Sequence, residues 1–342
     1  MRYYRIVIVK QSDSQETQSG SVTVVGTDLV FTTHPNGTNA APDMGALHVV
    51  WDIPVSSFDA PSGAAYVEIR GVDIYTISQA SNLQGAKVTI YGGMGSGYPL
   101  AQDGKPGLLI EGSVFQAFGN WLNTDMSLNL LIQPFGVPID DTNYPKLVWH
   151  WPKGGKISTA IQSMIAAAMP SYKCSFNLIN DLVSGSDDLG YYPDFGSLAQ
   201  VILEVSQHAN KTVGYQGIKF YLSGRTFYFY DQGSKSSPIE IKFQDMIGQP
   251  TWLRPDAIML QTVMRSDISI NDIIKLPDFN QTGSNQVLTG YGSITPTKQN
   301  IQVPKDRSLF NGSFQVTSVR HIGDSRNPDG GSWVTVYEAV RA

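Results

Sequence analysis

At 342 residues the chain exceeds one ordinary hydrophobic core, so two or three domains are expected; its formal net charge is −5. Charged residues make up 15 % of it, well under the roughly 25 % of a typical soluble domain, and a surface polar through Ser, Thr, Asn, Gln and Gly suits permanent protein contacts. The one cysteine, Cys174, excludes an internal disulfide and a cysteine-built metal centre, and no apolar run approaches the ~18 residues of a membrane helix.

Residues 1–140 read as all-β. Tyr3–Val9, Ser21–Phe31, Ala46–Asp52, Ala65–Ile69, Lys87–Tyr91 and Ser127–Ile132 are short β-rich runs between clusters of Gly, Pro, Asn and Ser, a spacing that suggests a barrel or a sandwich. Val114–Leu122 fits a helical face or a strand, and its surroundings favour the strand. The opening MRYYRIVIVKQSDS turns polar after a short apolar run, which reads as a strand and not a signal peptide. This segment holds six Lys/Arg against twelve Asp/Glu, so the acidity of the chain sits here. No basic stripe is present anywhere, which argues against a nucleic-acid reader, because duplex affinity comes mainly from cationic phosphate contacts.

Residues 141–235 change character. Lys156–Met169 places Ile157, Ala160, Ile161, Met164, Ile165 and Ala168 at helical spacing before Pro170. A second helix follows, with Ser197 as its predicted cap and Leu198, Val201, Ile202, Val205 and Ala209 on its buried face. Gly217–Leu222 and Thr226–Tyr230 then form a hairpin. Gly233–Pro238 reads as a linker.

Residues 236–342 are β again, with strands predicted at Ile239–Phe243, Ala257–Met264, Ile268–Leu276, Gly312–Ile322 and Ser332–Val340. The last two form a hairpin around the turn formers of Gly323–Gly331. Strict alternation puts Phe314, Val316, Ser318 and Arg320 on one face, and Trp333, Thr335, Tyr337 and Ala339 on one face. Asp278–Asn311 is a long polar loop expected to fold against a partner.

Chemistry is sparse. The glycine run of Tyr91–Gly97 lacks a following Gly-Lys-Ser/Thr and reads as a loop tip, not a phosphate cradle. Gly323-Asp324-Ser325 matches the Gly-Asp-Ser of a hydrolase class but sits in a hairpin loop near the C-terminus, where Asp324 suits an Asx-turn and Arg326 a local salt bridge. His34, His48, His150, His208 and His321 show no metal-ligand spacing. The adjacent carboxylates Asp140-Asp141 and Asp187-Asp188 point apart along the chain and do not form a facing acid–base pair. Trp149-His150-Trp151 is either a sugar-stacking platform or a strand packing two indoles. No catalytic, cofactor or metal site is expected.

The last third carries a further pattern. Gly248-Gln249-Pro250-Thr251-Trp252 is followed by Met264-Arg265-x-Asp267, by Asp272-x-Ile274-x-Leu276-Pro277, and by the closing run Val319–Thr335. This set resembles the baseplate hub proteins of contractile-tailed bacteriophages. It departs at Asn271, where Gly is expected, although Asn tolerates left-handed φ. The resemblance covers the chain loosely and its last third well. It implies a mainly β fold with an α+β insertion: two tail-tube-like β-barrel domains, 1–140 and 236–342, flanking a small α+β domain, 141–235. It implies a homotrimer whose six barrels form a ring, joining the tail tube protein to the central spike protein, with baseplate wedge and tape-measure proteins as further partners and DNA passing through without specific binding. Trp252, Arg265, Asp267, Arg320, Asp324, Arg326 and Trp333 are the structural or interface candidates, the arginines and aspartates as ion pairs. The reading from a different class is a carbohydrate-binding or carbohydrate-cleaving β protein, resting on the Trp149–Trp151 cluster and the sixteen Tyr and six Trp.

Overall fold

A computed structural model describes residues 2–9, 28–37, 41–59, 63–95, 106–134, 147–231, 237–277 and 312–342. The first part is β1 (Arg2–Val9), β2 (Leu29–Thr32), β3 (His48–Ser56), β4 (Ala65–Arg70), α1 (Ile74–Ser78), β5 (Lys87–Met94), β6 (Gly107–Leu122) and β7 (Asp125–Gln133). The middle is β8 (Leu147–Trp151), α2 (Ile157–Ala168), β9 (Lys173–Asn177), β10 (Asp188–Tyr192), α3 (Phe195–Ala209), β11 (Lys219–Ser223) and β12 (Thr226–Tyr230). The last part is β13 (Ile239–Glu240), β14 (Thr251–Arg254), β15 (Ala257–Val263), β16 (Ile273–Lys275), β17 (Ser313–Asp324) and β18 (Trp333–Arg341). The fold is mainly β with an α+β insertion, as the composition of the segments leads one to expect. The linker predicted at Gly233–Pro238 lies mostly, and the loop of Asp278–Asn311 wholly, outside the described residues, as does most of Ser21–Phe31.

Strands from both ends of the chain belong to one 13-stranded sheet, in the order β14-β15-β18-β17-β3-β4-β7-β6-β5-β1-β2, with β16 and β13 branching from β17. The joint is β17 against β3, antiparallel from Ser318↔Ser56 to Asp324↔Val50. Alternation explains the inward face of each strand: Tyr4, Ile6 and Ile8 on β1, Val49, Trp51 and Ile53 on β3, Leu128, Leu130 and Ile132 on β7 are all buried. The ambiguous Val114–Leu122 is strand, the outer half of β6, and a bulge between Val114 and Gln116 bends it.

Buried apolar side chains form three clusters. One lies under the first part, one inside the middle part, and one under the last. The clusters cross the sequence boundaries: Met264 and Trp333 belong to the first, and Tyr221 and Tyr230 to the third. In the middle part α2 buries Ile157, Ala160, Ile161, Met164 and Ile165, the stripe its spacing predicts. The second helix is capped one turn earlier than expected. Asp194 is the cap, accepting from the Ser197 amide at 2.7 Å, while Ser197 stands inside the first turn. Asp wins because its two oxygens take both the amide and the Ser197 hydroxyl.

A second correction concerns β17. The register shifts between Val316 and Ser318, so Phe314 and Val316 face the core but Ser318 and Arg320 do not; Val319, His321 and Gly323 do. One inserted residue inverts every side chain beyond it, and nothing local in the sequence announces it. β18 keeps its faces, with Trp333, Thr335, Tyr337 and Ala339 all buried, and Val334 on the opposite face buried as well.

Candidate functional site

Most of the predicted site residues, Trp252 excepted, lie at or near the joint between the two halves of the sheet. On the core face, Trp333 from β18 meets Trp51 from β3, ring centroids 4.6 Å apart and tilted by 40°. The Trp333 indole donates to the Gly93 carbonyl at 2.8 Å. Three glycines make room. A Cβ on Gly323 would stand 2.3 Å from Trp51 Nε1, one on Gly92 would meet Leu109 at 2.6 Å, and one on Gly93 would meet the Pro106 backbone at 2.6 Å. Gly92 and Gly93 are therefore strand residues packing an indole pair; the remainder of the glycine run from residue 96 lies outside the described residues.

Along the same face, a band of buried polar side chains separates this aromatic pair from the apolar cluster around Tyr337. Thr262, Arg265, His321 and Thr335 are each at most 4 % exposed. The Arg265 amide donates to Thr335 Oγ1 at 3.1 Å, and His321 Nδ1 lies 3.0 Å from the same oxygen. The Arg265 guanidinium is bidentate on Asp267 at 2.6 Å, with Asp245 at 3.4 Å. Burial alone would lower the pKa of Arg265, but the Asp267 carboxylate outweighs it and holds it above the ordinary value. His321 has no such partner, and burial pushes it down to about 4.

At the end of the joint the loop after β17 is tied to the first part of the chain. Arg2 donates to the carbonyls of Asp324, Asn327 and Asp329, and its guanidinium lies 5.9 Å from the Trp333 ring centroid. Asp324 Oδ1 accepts from the amides of Arg326 and Asn327, the expected Asx-turn, and lies 2.6 Å from His48 Nε2. Partial burial would raise the Asp324 pKa, yet the His48 hydrogen bond and the two amides hold it below the usual carboxylate value. Arg326 does not form a local salt bridge; it donates to the Ala46 carbonyl at 2.7 Å. Ser325 Oγ accepts from the Val49 amide at 2.9 Å, so the hydroxyl of the hydrolase-like triplet is spent on backbone.

The other candidates lie nearby. Arg320 leaves the core face and pairs bidentately with Asp52 across the joint, its Nε 2.7 Å from Oδ1, instead of with Asp324. Trp252 on β14 packs edge-on to Phe314, away from the joint. Asn271 has φ 72°, the left-handed conformation its sequence context requires. The features behind a sugar site do not assemble: Trp149 and Trp151 are 0 % and 1 % exposed, donating to Asp188 and to the Gly155 carbonyl. Among the described residues no group of three or more His, Cys, Asp or Glu could hold a metal, and no helix is long and apolar enough to cross a membrane.

Sequence reasoning missed Trp51, Arg2, His48 and Thr335. Alternation marks Trp51 as core, but no local pattern says that its neighbour is a tryptophan from the far end of the chain.

No family model and no curated protein matches this chain in sequence. Among solved structures, the tail protein from Neisseria meningitidis MC58 superposes with a TM-score of 0.50 at 9 % identity, covering 99 % of this chain and 96 % of that one. The 43 kDa tail protein of prophage MuSo2 from Shewanella oneidensis gives 0.45 at 10 % identity over 86 % of this chain and 97 % of that one. A Francisella PdpA–VgrG complex gives 0.43 at 7 % identity, over 100 % of this chain and 58 % of that one. The chain shares the fold of the Neisseria tail protein along its whole length.

Proposed function

We propose that the chain is a non-enzymatic structural subunit of a phage-type tail: a baseplate hub of three units, 1–140, 141–235 and 236–342, that trimerises into a ring of six β units. Such a ring matches a six-fold tail tube on one side and a three-fold central spike on the other, with wedge and tape-measure proteins around it and DNA passing through it in the virion. The observation that carries the reading is the doubling within one chain. Two β units, each with its own apolar cluster, are fused edge to edge through β3 and β17 into one sheet. A chain that supplies two rigidly joined ring positions needs only three copies to meet a six-fold partner. The fold shared with a tail protein supports the same assignment.

Light scattering on the eluting full-length chain, with images of the same fraction, tests it. A discrete trimer with six lobes around a hole is expected. A monomer at all concentrations, or binding to a glycan array, overturns the reading. Duplex DNA should show no tight, salt-sensitive binding, given the acid excess of residues 1–140.

A further inference from the structure

The hairpin β11–β12 touches all three parts of the chain. Alternation gives it two faces, phenylalanines at 220, 227 and 229 against tyrosines at 221, 228 and 230. The phenylalanines are buried in the cluster of the middle part. Into that face the first part inserts a residue from just beyond β3: the Phe58 ring stands 5.0 Å from Phe220, 5.5 Å from Phe195 and 6.3 Å from Phe227. Backbone and charge hold the insertion. The Phe58 amide donates to the Phe220 carbonyl at 3.0 Å, the Ser57 hydroxyl donates to the same oxygen at 2.9 Å, and Lys219 pairs with Asp59 at 2.8 Å. Next to the hairpin's turn, Arg225 reaches Glu111 on β6, again at 2.8 Å. On the other face, Tyr221 and Tyr230 are buried in the cluster of the last part, the one that holds Ile268, Ile270 and Tyr337.

We propose that the α+β unit is a brace that fixes the angle between the two β units; its purpose rests on the hub reading, because six ring positions close only at one angle. Strand pairing alone does not set that angle. β3 and β17 meet as a single antiparallel pair over Ser318–Asp324, and the twist between neighbouring strands ranges over roughly −10 to −35° among sheets. One end of this pair is tied by Arg2, His48 and Arg326 around Asp324. At the other end β3 leaves the joint at Ser56 and delivers Phe58 two residues later. There the hairpin grips the first unit through Phe58, Asp59 and Glu111 and the last unit through Tyr221 and Tyr230. A third body bound to both sides of a hinge closes a triangle, and the hinge no longer turns. Without it an error in the angle repeats in every copy, and head-to-tail contacts then build open arcs in place of rings.

Distances between two spin labels in the full-length chain test it. Labels at Asp125→Cys on β7 and Arg254→Cys on β14, with Cys174→Ser, report the separation of the β units, and an excess of unlabelled chain keeps the signal within one copy. Phe58→Ala cuts the brace from the first unit, and Tyr221→Ala cuts it from the last. The parent should give one narrow distribution and each variant one at least about twice as wide, given the spread of twist that strand pairing allows. A brace severed at one end is severed, so both changes together should widen it no further, whereas independent packing losses add. Hydrogen exchange on α2 checks that the middle unit stays folded. Where a variant loses that protection, Lys219→Ala with Arg225→Ala takes its place, because these side chains are 34 % and 51 % exposed and lie outside the core. Distributions as narrow in the variants as in the parent, or a parent already wide, overturn the brace whatever the oligomer. A narrow parent that widens in the variants but never forms a trimer upholds the brace and overturns the hub reading. In a trimeric parent, variants that still close into six-lobed rings overturn the role of the brace in closure; open arcs and mixed sizes are expected.

Discussion

Trp333 lies against Trp51 although 282 positions separate them, and its indole closes on the carbonyl of Gly93, so three distant strands share one aromatic contact. The tail of the chain thereby completes the core of its beginning. Buried aromatic pairs contribute ~0.5–1.5 kcal/mol beyond the area they bury.

Trp333→Ala should accordingly cost about 3–5 kcal/mol, the range for emptying a buried tryptophan site. The loss should be shared by both ends of the chain and not confined to residues 236–342. Denaturant unfolding followed by hydrogen exchange reads this out: protection should fall on β1 and β5 as well as on β17 and β18. Protection lost from the last unit alone would show that the contact does not couple the two.

Gly323→Ala tests the same packing from the opposite direction. The added methyl meets Trp51 Nε1 at 2.3 Å and Trp333 at 2.8 Å, both on rings that other contacts hold in place. Overpacking of this kind costs roughly 1–3 kcal/mol. Gly330→Ala, seven residues on, has nothing within 4 Å of its added Cβ and should change the midpoint little. Equal effects at the two positions would point to backbone entropy as the cause.

Much of the fold was legible because alternation and helical spacing report burial locally. The inward faces of β1, β3, β7 and β18 and the stripe of α2 follow from periods of two and 3.6. What was not legible is non-local or rests on a single residue. The bulge at Thr317 reversed the assigned faces of Ser318 and Arg320, and the partner of each charge lay far away: Asp52 for Arg320, His48 for Asp324, the Ala46 carbonyl for Arg326. Only Arg265–Asp267, two positions apart, paired as its spacing suggested.

The joint should weaken in mild acid. His321 is buried, with its pKa pushed from 6.5 down to about 4, so the unfolded chain takes up the proton first. Its contribution to stability is complete above 6.5 and is lost as pH falls from 6.5 toward 4. Asp324, held below the carboxylate value of 3.8, loses its contribution at still lower pH and acts in the same direction. Unfolding free energy measured between pH 4 and 7.5 should fall with a slope approaching ~1.4 kcal/mol per pH unit. In His321→Gln that slope should flatten between 4 and 6.5, and an unchanged slope would assign the acid sensitivity elsewhere.

The two arginine pairs at the joint look alike in a contact map and should behave differently. Arg265 is 3 % exposed, while Arg320 is 54 % exposed and Asp52 39 %. Asp267→Asn leaves a desolvated guanidinium with only Asp245 at 3.4 Å, and an uncompensated buried charge costs about 3–5 kcal/mol. The lower end applies here, because Asp267 itself is 38 % exposed and water can enter the space. Arg320→Ala removes a solvated pair and should cost about 0–1 kcal/mol despite its bidentate geometry. Arg265→Met combined with Asp267→Leu removes charge and partner together, and such replacements are often close to neutral. If the double variant recovers most of what Asp267→Asn loses, the buried pair fixes the packing of the polar band more than it stabilises the fold. If Arg320→Ala proves as costly as Asp267→Asn, the exposed face of the joint is covered in the assembled protein, and Arg320 belongs to an interface.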